Sequence, residues 1–83
     1  MDIDPNQLTE QVRGLLAEAL QVPQEAVTGE LGFGDLPEWD SMGHMEVMVL
    51  LEERYGVGIS ADTIAGLTSV ESITAYLKEN GHA

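Results

Sequence analysis

Three stretches of this 83-residue chain carry apolar side chains at helical spacing. In the first, Leu8, Val12, Leu15, Leu16, Ala19 and Leu20 fall on one stripe, and Asp4-Pro5 reads as an N-cap and first helical residue. Pro23 bounds the stretch, so helix one is expected over about 5–21. Gly14 weakens it by roughly 1 kcal/mol relative to alanine. The second stretch opens at Asp40-Ser41 and runs without a proline to Gly56, which predicts a helix over 41–55. The third follows Thr68-Ser69-Val70-Glu71, which fits a capping box with Thr68 as N-cap and Glu71 at N3. Val70, Ile73 and Leu77 then share a face, and Gly81 lies past the end, so helix four is expected over about 69–79. Ser60-Ala61-Asp62-Thr63-Ile64-Ala65 has cap residues but few helical positions and reads as a short third helix or turn.

Residues 22–40 form a long connection. Pro23 is expected to start a single turn through Ala26, after which Gly29, Gly32, Gly34 and Pro37 break regular structure. A structureless loop of that length is uncommon in a small domain. Its apolar residues Val22, Val27, Leu31, Phe33, Leu36 and Trp39 suggest that it is tacked onto the core. No strand alternation is present, and Val57-Gly58-Ile59 is too short for a sheet of its own. The expectation is an all-α fold, a small four-helix bundle with a long loop between helices 1 and 2 and a short third helix, in a single domain spanning 1–83.

Helix two has two apolar sides. Val47, Leu51 and Tyr55 stack at helical spacing, flanked by Met48, and form an ordinary core face. Met42, Met45 and Val49 lie opposite, among Glu46, Glu52 and Glu53. One side serves the core, and the other is expected to meet a partner. Methionine suits a surface that meets several partners, because its unbranched side chain adapts to varied shapes.

The formal charge of −12 argues against nucleic acid and anionic membranes and favours partners with basic surfaces. The chain has no cysteine, hence no disulfide framework and no thiolate metal site. No apolar run approaches the ~20 residues of a membrane span, and Met1-Asp2-Ile3-Asp4 has the wrong charge for a signal peptide, so a cytoplasmic location is expected. Neither a calcium loop nor a zinc-protease helix motif occurs, and no metal is expected.

Asp40-Ser41 at a helix start is, taken alone, a capping pair. His44 nearby invites a Ser-His-Asp reading with Ser41 and Asp40. A triad needs a buried orienting acid, an oxyanion hole and a substrate pocket, so His44 reads better as a partly buried structural histidine. His82 reads as tail.

Asp40-Ser41-Met42, a helix ending Leu51-Glu52-Glu53-Arg54-Tyr55-Gly56, and then Val57-Gly58-Ile59 together resemble the phosphopantetheine-attachment region of acyl and peptidyl carrier proteins. The resemblance runs from about Leu8 to Leu77 in size and element order. It implies that Ser41 carries a covalent 4′-phosphopantetheine arm and that Asp40 helps a phosphopantetheinyl transferase and its metal ion engage that serine. It implies a non-catalytic carrier whose arm holds an acyl or aminoacyl group as a thioester. Its partners would be the transferase, an acyl- or aminoacyl-activating loading enzyme and downstream acyl-transferring or tailoring enzymes. Asp40, Met42, Met45, Glu46, Val49, Glu52, Glu53 and Trp39 are expected at the partner face of a monomer.

The chain departs from the family at two points. Glu38 and Trp39 stand where Gly-Gly or Gly-Ala-like pairs are common, and Gly43 stands where an acidic residue is often found. The bulky indole is expected to cover the arm or touch a partner. Met42-Gly43 is also similar to D-alanyl carrier proteins. With these departures, and with a chain starting at Met1, the expectation is a free-standing carrier of a specialised pathway. The alternative is an unmodified acidic helical adaptor that binds a basic partner through the Met42, Met45 and Val49 face.

Overall fold

A computed structural model describes residues 5–80. Within them the order is α1 (Pro5–Leu20), a 3₁₀ turn (Gln24–Ala26), α2 (Ser41–Tyr55), α3 (Ala61–Gly66) and α4 (Val70–Glu79). This is the expected all-helical architecture, with a long α1–α2 connection and a short third helix. The expected cap Asp4 and the tail residues Gly81 and His82 lie outside the described residues.

Helix α1 packs against both α2 and α4, and α3 leans on α2. The α1 stripe enters the core as its spacing demands: Leu8, Val12, Leu15, Leu16 and Leu20 are all buried. Val47, Met48 and Leu51 meet them from α2, and Val70, Ile73 and Leu77 from α4. Tyr55 is only half-buried, and its hydroxyl donates to the Gln11 side chain at 3.1 Å.

Helix ends are set by local chemistry. Helix α1 stops at Leu20 because Gln21 turns into the left-handed region (φ 57°), and the Val22 N–H returns to the Ala17 carbonyl at 3.0 Å. Gly56 (φ 70°) ends α2 in the same way, at no steric cost. The α4 cap lies one residue later than expected: Ser69 is the N-cap, in a reciprocal box with Ser72, not Thr68 with Glu71. The cause is tertiary. Thr68 gives its carbonyl to the Phe33 N–H at 2.7 Å, and Ser69 forms an isolated antiparallel bridge with Gly32, so the chain stays extended through Ser69.

That bridge pins the middle of the long connection to the start of α4. Val27, Leu31 and Trp39 are buried, and Val22 and Leu36 pack against the core. Arg13 of α1 reaches the Val27 and Gln24 carbonyls, which tethers the first half. Phe33 corrects the expectation for its loop: it is 46% exposed, because its backbone is held in the bridge and its ring lies over His44, outside the core.

Candidate functional site

The loop crosses the first turn of α2 at very close range. A Cβ placed on Gly43 would lie 2.1 Å from the Glu38 carbonyl oxygen and 2.9 Å from the Leu20 side chain. Only glycine admits this approach, and the approach carries Trp39 into the core. Trp39 is wholly buried. It therefore does not stand at the partner face or cover an arm, and that expectation is corrected. A buried indole needs an acceptor for its N–H, and Trp39 Nε1 donates to His44 Nδ1 at 3.1 Å. With Nδ1 accepting, the proton of the neutral imidazole sits on Nε2, which donates to the Ile64 carbonyl of α3 at 2.7 Å. The two departures at Glu38-Trp39 and Gly43 are thus one structural device, a bulky plug and the gap that lets it in. Nothing in the residue pattern marked the pairing of Trp39 with His44, five positions later.

This arrangement leaves Ser41 alone and exposed at the first position of α2. Asp40 caps the helix, its carboxylate accepting from the Gly43 N–H at 2.9 Å. Both His44 nitrogens are occupied elsewhere. Neither group is therefore hydrogen-bonded to the Ser41 hydroxyl as a base, and the triad reading has no geometry behind it. Among the described residues no cluster of side chains suits a metal ion.

What surrounds Ser41 suits an acceptor serine. The leading N–H groups of a helix have no intrahelical acceptor and lie at the positive end of its dipole, so a phosphodiester on the hydroxyl would be favourably placed. An apolar groove of about 340 Å³ begins at Ser41 and runs between Phe33, His44, Met45, Ile64 and Thr68. A phosphate-linked, partly apolar arm fits this donor set and this cradle.

The outer side of α2 continues from the same point. Met42 is 81% exposed, Met45 42% and Val49 38%. Glu46, Glu52 and Glu53 are exposed among them. The ion pairs among the described residues, Arg13–Glu10 and Arg54–Glu18, engage none of these three carboxylates. Asp40, Met42, Met45, Glu46, Val49, Glu52 and Glu53 are all solvent-exposed, and Trp39 is not. No helix among the described residues is long and apolar enough to cross a membrane.

Comparisons with known proteins agree with the geometry. The family model for the phosphopantetheine attachment site matches residues 10–77. The meromycolate extension acyl carrier protein of Mycobacterium tuberculosis (strain ATCC 25618 / H37Rv) is 27% identical over 79 residues, covering 95% of this chain and 69% of that protein. The protein of the same name from Mycolicibacterium aurum is 32% identical over 65 residues, covering 78% and 67%. Acyl carrier protein 3 of Ralstonia nicotianae is 26% identical over 69 residues, covering 83% and 79%. A match over most of the chain, on a four-helix scaffold with a groove beside an exposed serine, places the protein: it belongs to the phosphopantetheine-binding carrier family and is a non-catalytic acyl carrier protein.

Proposed function

We propose that Ser41 is the residue that bears the 4′-phosphopantetheine arm. The observation that carries this is its placement, exposed at the first position of α2 beside an apolar groove, with no base of its own. When bound, the arm supplies a terminal thiol that holds an acyl or aminoacyl group as a thioester. The chain's own residues do the rest. Ser41 offers its oxygen to the phosphorus of the phosphopantetheine group of coenzyme A; the pyrophosphate bond breaks, adenosine 3′,5′-bisphosphate leaves, and the hydroxyl proton passes to the transferase. Asp40 fixes the first turn of α2 through Gly43, so the hydroxyl is held at a defined place. Met42, Met45 and Val49 give an adaptable apolar contact, and Glu46, Glu52 and Glu53 steer a basic partner surface towards it.

The partners in this reading are a phosphopantetheinyl transferase, an acyl- or aminoacyl-activating enzyme and the downstream enzymes that take the group off. We place the protein as a cytoplasmic, monomeric, single-domain carrier of a specialised pathway. The departures at Glu38-Trp39 and Gly43 support that assignment over a general fatty-acid carrier.

Incubation with coenzyme A, Mg²⁺ and a broad-specificity transferase should add one phosphopantetheine per chain, read by intact mass. Ser41→Ala should abolish the addition and leave the helical circular dichroism signal unchanged. Addition that persists in Ser41→Ala refutes the assignment. No addition to the wild type with several transferases favours the unmodified adaptor.

A further inference from the structure

The groove beside Ser41 has a hard floor. Of its lining residues Phe33, Ser41, His44, Met45, Ile64 and Thr68, only His44 is buried, at 5% exposure. Its ring is held from two directions, by the Trp39 indole N–H and by the Ile64 carbonyl. Phe33 stands edge-on to the same ring, with centroids 5.6 Å apart. Behind His44 lies Trp39, wholly buried, and the next inward residues of α2, Val47 and Met48, are wholly buried too.

An apolar group tethered near Ser41 has this groove as neighbouring apolar surface, and the tether keeps its local concentration high. To go deeper it would have to part α2 from α3 at His44 or displace the indole. Either move leaves buried hydrogen-bonding groups without partners, a cost that extra methylenes must overcome before they gain anything. We infer that His44, backed by Trp39 and tied to Ile64, determines which cargo this carrier can shelter: a short acyl group lies within the groove, and the remainder of a longer chain stays outside. This rests on Ser41 as the point of attachment.

The test uses the whole chain loaded by a transferase with acyl-coenzyme A of increasing length, acetyl, butanoyl, octanoyl and dodecanoyl, with loading confirmed by intact mass. Two readouts follow, the melting temperature and the fluorescence of Trp39, the one tryptophan in the sequence. In the wild type both should be flat beyond butanoyl. Trp39→Ala should melt lower as the arm-only form and recover by at least about 4 °C when octanoyl fills the space of the indole. If Trp39→Ala does not fold, Trp39→Leu carries the same comparison with a smaller void. A wild-type melting temperature that climbs through dodecanoyl, with a shifted Trp39 emission, overturns the inference, because the floor then opens. A tryptophan variant that gains nothing from octanoyl overturns it too, because Trp39 then does not back the groove. If no acyl-phosphopantetheine adds to the wild type at all, the Ser41 assignment fails and the inference falls with it.

Discussion

Helix α4 turns Val70, Ile73 and Leu77 to the core and leaves Glu71, Ala75, Lys78 and Glu79 exposed. Helix α2 buries His44, Val47, Met48 and Leu51, and still exposes Met42, Met45 and Val49. Folding accounts for every large apolar residue just named on α4. It asks nothing of the exposed methionines on α2, which would be replaceable by charged residues in a helix that served the core alone. The excess apolar surface on α2 begins at Ser41 and is interleaved with carboxylates that have no basic partner among the described residues. In the proposed reading, the difference separates a helix shaped by packing from one shaped also by the partners it meets.

The strongest challenge to that contrast is truncation of the two core faces. Leu51→Ala in α2 and Ile73→Ala in α4 remove wholly buried side chains, and each should cost roughly 2–5 kcal/mol in chemical denaturation. A much smaller loss for Leu51 than for Ile73 would mean that α2 contributes little to the core and that the contrast is overstated. Next is Gly43→Ala, a change that favours helix formation by itself but drives a methyl into the Glu38 carbonyl. It should destabilise by about 1–3 kcal/mol, as overpacking does. A neutral or stabilising result in the same denaturation experiment would show that the loop does not lie on the first turn.

Met45→Lys examines the outer face. It should leave the melting curve almost unchanged and slow loading of the arm-bearing protein by its activating enzyme about tenfold, the effect of losing one apolar contact and adding an unfavourable charge. Unfolding would place Met45 in the core; normal loading would place the partner surface elsewhere. The smallest effect is at Tyr55, where the inner face runs out. Burial raises its phenol above the ordinary value of 10.0, partly countered by Arg54. The folded state therefore favours the neutral form. The resulting stability is present below pH 10.0 and is lost as the pH rises through the folded value. Wild-type melting temperature should fall more steeply above that pH than in Tyr55→Phe. Parallel curves would mean that Tyr55 is hydrated like any surface phenol.

Much of this was legible from residue spacing, and the exceptions share a cause. The bounds of α2 followed from a cap, a proline-free run and a terminal glycine, all local signals. The stripe of α1 followed from periodicity. The loop has no period, so its two aromatic residues were not told apart: both read as tacking the loop onto the core, which holds for buried Trp39 and fails for Phe33 at 46% exposure, while the further expectation of Trp39 at the partner face fails with its burial. The cap of α4 shifted by one residue because a bridge to Gly32, distant in sequence, outweighed a local box. Gly43 read as a mild loss of helicity. Its necessity appears only when the Glu38 carbonyl is seen above it. At the site, the exposed serine was evident from its neighbours in sequence. The His44 floor depends on three segments meeting, which no single stretch encodes.

The Gly32–Ser69 bridge has a consequence for how the α1–α2 connection moves. Its flanking bonds, Phe33 N–H to the Thr68 carbonyl and Val70 N–H to the Leu31 carbonyl, tie the loop to the segment entering α4 and to the first residue of that helix. In hydrogen-exchange terms the connection should have a protected waist, with the Phe33 amide opening together with α4, while Gly29 and Glu30 exchange through local fluctuation. Closing one long loop as two shorter ones also divides its freedom. The half leading into Ser41 is anchored at Phe33 by the bridge and at Trp39 by the core. Disturbance near α1 should therefore fade at the waist before it reaches the serine.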